Sequence, residues 1–201
     1  MLGDGKAQRR HRAGLMRRFF LRRDGAAAIE FALLSIPFFV IVFASIETFI
    51  AFSAEQLLAN ANDTMARKIR TGEITFNQNR PATDMTAQAY RAAFCEEVSI
   101  LRMCSEDEVG NPKKLFIDVR SFSSFSGIPD ALPIKDSDLD TTAFAFAPGG
   151  KKTINVVRAY YRWDIMTDLI RPYITSLRPA DGSSPPYLMV ATEIVQSENY
   201  P

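Results

Sequence analysis

With 201 residues and 47% hydrophobic content, the chain has material for one domain with a real core and hardly for two. Its formal net charge of +1 hides an asymmetry: residues 1–25 hold eight Lys or Arg against Asp4 and Asp24, a net of +6, which leaves 16 basic and 21 acidic residues, a net of −5, for 26–201. The single histidine, His11, sits inside that basic arm, which excludes Ser-His-Asp and Cys-His catalysis and histidine metal sites from the rest of the chain.

A basic arm can mean nucleic acid, but this one abuts an apolar segment, the layout of a targeting sequence. Between Glu30 and Glu47 lie sixteen uncharged residues, FALLSIPFFVIVFASI, and the largely apolar stretch runs from Ala26 to Phe52. As helix, the short count spans about 24 Å and the long one about 40 Å, against a hydrocarbon core of about 30 Å, so a single membrane span is expected over 26–52. With the basic cluster on its N-terminal side and none comparable until Arg67, the N-terminus is expected in the cytoplasm and everything after Phe52 outside it.

The helical period continues past the apolar run. Ala54, Leu57, Leu58, Ala61, Met65 and Ile69 recur at three- and four-residue steps, while Glu55, Gln56, Asn60, Asn62, Asp63, Arg67 and Lys68 take the other side, which predicts an amphipathic extension over 53–71. Basic Arg67, Lys68 and Arg70 fill its last turn and Gly72 is the expected C-cap. Pro37 removes one helical hydrogen bond and should kink the helix within the membrane. Residues 72–201 are left for a folded extracytoplasmic domain.

That domain opens with a second helix in PATDMTAQAYRAAFCEEV, with Thr83 or Asp84 as N-cap and Met85, Ala89, Ala92, Ala93 and Val98 on the buried side. Cys95 and Cys104 lie on the oxidising side of the expected membrane, where thiols can pair. If 95–104 were all helix their Cα atoms would stand about 13 Å apart, beyond bridging, so a disulfide requires the chain to turn between them and two buried thiols are the other reading. SEDEVGNP follows as an acidic turn. Three strand-like runs come next, KKLFIDVRSF at about 114–122, TINVVRAYYRW at about 153–163 and YLMVATEIV at about 187–195. Residues 123–152, rich in Pro and Gly, read as a long surface excursion, and DLIRPYITSL as a short helix interrupted at Pro172. The class is α+β: a long N-terminal transmembrane helix, a second helix and a roughly three-stranded antiparallel sheet.

Chemical motifs are imitated without being completed. DSDLD, with Asp136, Asp138 and Asp140, opens like a calcium loop, yet Thr141 stands at the sixth position where Gly is needed and Ala147 at the twelfth where Glu is needed. APGGKKT resembles a phosphate loop, but the first glycine of that motif falls at Ala145 and Lys152 stands where Ser or Thr must be. Glu96 and Glu97, or Asp107 and Glu108, are not spaced as a general acid and base. Phe122, Phe125, Phe144 and Phe146 either pin the excursion to the core or form an exposed contact patch, the first being the better account. No catalytic residue, metal site, cofactor or nucleic-acid partner is expected.

Glu30 is the feature an ordinary signal does not explain. A secretory signal has a basic region, an apolar region and a small-x-small cleavage site, and VFA ending at Ala44 weakly provides the last, so a released periplasmic protein remains a reading, as does a permanently anchored binding or adaptor domain. Neither gains from a carboxylate at the start of the apolar run, where it costs up to a few kcal/mol depending on depth. The run Gly25, Ala26-Ala27-Ala28-Ile29-Glu30-Phe31, then apolar residues, resembles the signal of type IV pilin-like proteins. With the closing SENYP it is most similar to TadE-like minor pseudopilins of the tight-adherence (Tad/Flp) pilus system. The resemblance is close over 22–47, loose at the C-terminal strand, and adds only a compatible pattern over 72–186. It implies cleavage by a prepilin peptidase after Gly25, leaving 1–25 as a leader, Ala26 as the mature first residue and Glu30 as the fifth. It implies a bacterial inner-membrane location, pilin-like subunits and an inner-membrane assembly platform as partners, and a pairing of the Glu30 carboxylate with a neighbour's N-terminal amine. Phe31 stands where the far shorter major pilins often have Tyr, which fits a minor component.

Overall fold

A computed structural model describes residues 23–166, 171, 175, 177–179 and 184–200, with side chains from residue 27 onward. The basic leader up to Arg22, and most of the short helix expected in DLIRPYITSL, lie outside the described residues. The chain divides into two compact units, Met1–Ile46 and Glu47–Pro201.

Helix α1 covers Arg23–Thr71. In the first unit its large apolar side chains point outward, Phe31 and Leu34 each 71% exposed, because nothing else in that unit can cover them. Its serines carry no free donor into that surface: Ser35 donates to Ala32 O and Ser45 to Ile41 O one turn back. The helix continues on both sides of Pro37, whose missing N–H leaves the Leu33 carbonyl without its helical donor. Among the described residues this is the one helix long and apolar enough to cross a membrane, and none of its apolar window is buried.

In the second unit α1 buries Ala54, Leu58, Ala61, Met65 and Ile69, the expected stripe, with Leu57 at its edge. Asn62, expected on the polar side, is instead fully buried. Its Nδ2 donates to Val157 O at 3.1 Å, a backbone acceptor that the sequence could not place there. The helix ends as anticipated: Gly72 adopts φ +78, and its N–H bonds Ile69 O. A Cβ there would also meet the Tyr200 ring at 2.5 Å, so both backbone and tail demand glycine.

Helix α2, Ala87–Glu97, starts later than expected. Thr86 is its N-cap, accepting from Ala89 N–H, since Asp84 is occupied in bracing the preceding loop and Thr83 bonds within it. Its buried residues are Tyr90 and Phe94, followed by Val98; Ala89 is exposed and Ala92 and Ala93 only half-buried. The two aromatics offer far more area than the alanines and so set the face. The chain then turns through a short 3-10 stretch, Ser99–Leu101, and Arg102 in the left-handed region. The acidic turn is in fact one turn of helix, α3, Glu106–Gly110, whose Glu108 folds back to accept the amides of Lys113, Lys114 and Leu115.

Among the described residues six strands follow: β1 Leu115–Phe122, β2 Ile134–Lys135, β3 Asp138–Leu139, β4 Phe146–Ala147, β5 Ile154–Trp163 and β6 Tyr187–Gln196. The three expected strands are β1, β5 and β6, antiparallel, with Leu115 opposite Tyr161 and Trp163 opposite Tyr187. A fourth, β4, adds itself parallel to β1, giving the order β4-β1-β5-β6 and a mixed α+β sheet. Two residues of alternation were too few to signal it. The excursion also holds a 3-10 turn, Phe125–Gly127, and a β2–β3 hairpin turning at Asp136 and Ser137, both at positive φ as a two-residue type I′ loop requires.

One face of the sheet, with Leu115, Val119, Val157, Ala159 and Met189, packs on α1 and α2. The excursion covers the other. Phe144 stacks on Tyr160 with centroids 5.1 Å apart, Phe146 reaches round to Tyr90 at 4.6 Å, and Phe122 packs near Ile128 and Ile154. Phe125 alone of that aromatic set is largely exposed.

Candidate assembly site

The site begins as a property of one helix face. Backbone helix already includes Gly25 and Ala26, and positions three or four apart share a face, which puts Glu30 in a row with Ala26, Leu33 and Leu34. Glu30 is exposed, and no hydrogen bond or ion pair involves it among the described residues. Phe31 beside it projects outward, and Phe38, Phe39 and Phe43 continue the apolar surface with ring centroids 5.5 and 6.2 Å apart. A carboxylate on an otherwise apolar, outward-facing helix carries an unmet electrostatic demand wherever that helix lies in lipid.

The model of the TadE-like protein family matches residues 25–67. The chain carries a TadE-like helix. The match takes in Gly25, Ala26, Glu30 and Phe31 together with most of the amphipathic extension, and stops short of the sheet. TadE-like proteins are in general structural, non-enzymatic components associated with the Tad pilus, and the apolar helix fits membrane anchoring. No curated protein and no solved structure matches the chain.

The second pair of candidate residues belongs to the other unit. Cys95 near the end of α2 and Cys104 beyond the 3-10 turn are brought into a disulfide, their Cα atoms 5.3 Å apart, by the left-handed Arg102 that reverses the chain. This turn is what the sequence reading required for a bridge. Both cysteines pack on the main core.

The imitated motifs acquire structural roles. Asp136 opens the hairpin turn, Asp138 pairs with Arg162 at 2.8 Å, and Asp140 accepts from the Thr142 hydroxyl and amide, which holds its carboxyl below the usual range. No group of three or more metal-binding side chains exists among the described residues. The Gly149-Gly150 turn is tied down by Asn155 and Thr153, with Gly149 N–H on Asn155 Oδ1 at 2.7 Å and the Thr153 hydroxyl on Gly150 O. Burial raises the Tyr90 phenol, and burial with Glu108 and Asp164 nearby pushes Tyr161 up to about 12. These are core tyrosines kept neutral, not acids poised for proton transfer.

Sequence reasoning missed three residues that shape the domain: Asn62, Glu108 and Tyr200. The TadE-like helix ends where the last of these acts. Tyr200 is buried against Gly72, Arg80 lies over its ring at 5.2 Å, and Glu198 N–H bonds Arg70 O, so the closing SENYP straps the tail to the end of α1.

Proposed function

We propose that this chain is a minor pseudopilin of the Tad pilus, a membrane-anchored assembly component and not an enzyme. On this reading a prepilin peptidase removes residues 1–25, residues 26–52 span the bacterial inner membrane, 53–71 extend that helix into the periplasm, and 72–201 form the periplasmic domain. The cleaved chain begins at Ala26, and its Glu30 meets the new N-terminal amine of a neighbouring pilin-like subunit on the assembly platform. Each charge alone is costly near hydrocarbon; as a hydrogen-bonded pair they offset part of that cost and fix the stagger between helices.

The observation that supports this best is Glu30 itself: exposed, without a partner among the described residues, and five positions past Gly25 in a TadE-like helix. Glycine at the cut site also has a physical use. A helical peptide bond must unwind to enter a protease, and glycine costs the helix about 1 kcal/mol relative to alanine, so the register is weakest where cleavage is needed. The Cys95–Cys104 bridge suits an extracytoplasmic domain.

Intact-mass measurement of membrane-extracted protein tests the reading. The expected result is a chain starting at Ala26, with Gly25→Leu leaving the leader attached. A mature chain retaining Met1, or starting near Ser45, would refute processing as a pilin.

A further inference from the structure

Strand β1 leaves one stretch of its outer edge uncovered. The Arg162 N–H to Lys114 O bond at 2.9 Å sets the alternation: even-numbered β1 residues bond β5, and odd-numbered ones turn their N–H and C=O groups outward. At both ends of the strand those outward groups are taken. Leu115 N–H donates to Glu108 and its C=O accepts from Arg91, while Val119 N–H donates to Ala145 O at 2.7 Å. Ile117, between them, has neither group bonded among the described residues. Extending β4 upstream would reach it, but the Ala145 amide is diverted to Asp118 Oδ1 and the chain leaves the edge through the Thr141–Phe144 turn.

A cleft of about 500 Å³ opens on this gap. It straddles the strand edge, with Tyr90 and Phe146 on the side of α2 and Phe116 and Phe144 on the opposite face of the sheet. Successive side chains of an extended peptide point to opposite faces, so a strand laid in the gap would meet aromatic surface on both. Tyr90 is 1% exposed and its hydroxyl has no partner, a cost the fold leaves standing in the cleft wall. The one charged residue lining the cleft, Arg91, is already bonded to Leu115 O and has Glu108 beside it, so the cleft asks for no charge.

We propose that this cleft receives a short extended segment of a partner polypeptide, uncharged and apolar at successive positions, whose backbone pairs with Ile117 and continues the line of β4 along β1. An open donor and acceptor on one residue, at strand spacing and flanked by apolar walls on both faces, match a peptide backbone. The inference rests on the folded unit alone and stands whether or not Gly25 is cleaved.

The test uses the full chain in detergent micelles, residue-resolved amide exchange and one probe, the capped pentapeptide acetyl-Thr-Leu-Val-Leu-Thr-amide. Without the probe, the Ile117 amide should exchange at least about tenfold faster than that of Val119; with it, Ile117 should slow by about tenfold or more. A backbone N-methylated version of the probe should have no effect. Gly110→Phe should abolish the protection with the far-UV spectrum unchanged, since a Cβ at Gly110, on the cleft rim, meets nothing within 4 Å. Five results would overturn the proposal. The first four are an Ile117 amide already as protected as Val119, no protection at about 1 mM probe, protection that survives N-methylation, and protection falling on the outer edge of β6. Protection that grows with protein concentration in the absence of probe would also overturn it, by assigning the edge to a second copy.

Discussion

Asp84 shows how one carboxylate can hold a loop that hydrophobic burial does not. It accepts from the Thr75 hydroxyl at 2.6 Å and from the amides of Gln78 and Arg80, and these bonds hold its carboxyl below the ordinary value of about 3.9. A lowered folded-state pKa means that the stabilisation is fully present above the unfolded value and is lost as pH falls through the folded one. The gap in melting temperature between the native chain and Asp84→Asn should therefore be constant from neutral pH to about 5 and shrink below about 3.9. A gap that stays unchanged down to pH 2.5, or widens in acid, would mean that the ionised carboxylate does not brace the loop. Glu108 likewise accepts from three amides; in sequence it reads as surface charge and Asp84 as a candidate helix cap, because the amides they brace come close only through irregular turns.

At the scale of elements, α1 was legible almost to the residue. Its apolar run, its stripe from Ala54 to Ile69 and its stop at Gly72 are local patterns, and local patterns survive without knowledge of what packs on them. β1, β5 and β6 were legible for the same reason. Helix α2 was misphased because two aromatics, Tyr90 and Phe94, outweighed three alanines, and because Asp84 looked like a cap while serving the loop before it. The Cys95–Cys104 link closes a ten-residue loop around the end of α2, and closing a loop of that size contributes about 2–3 kcal/mol in the chain-entropy account. Alkylation of the native protein should add no mass before reduction and two adducts after it, and reduction should lower stability by about that amount. Two adducts without reductant would rule out the bridge.

For the whole molecule, the sequence left undecided what depends on distant pieces meeting. β4 on β1, Asn62 on Val157 O, and Tyr200 on Gly72 all join residues far apart in the chain, and no window of ten residues announces them. The candidate site was the reverse case, since Gly25, Ala26, Glu30 and Phe31 are consecutive enough to be read together, and the family match falls on that same stretch. On the proposed reading, a carboxylate at the lip of an apolar helix needs a cation, and a cleaved neighbour would supply one. Zero-length carbodiimide coupling in native membranes containing the partner subunits tests this most directly, because it joins only a carboxylate and an amine already in contact. The account predicts a cross-linked peptide between Glu30 of this chain and the N-terminal amine of a different chain, absent in Glu30→Ala, which should still be processed and inserted. A chain correctly processed to Ala26 that gives no intermolecular coupling at Glu30 would contradict it.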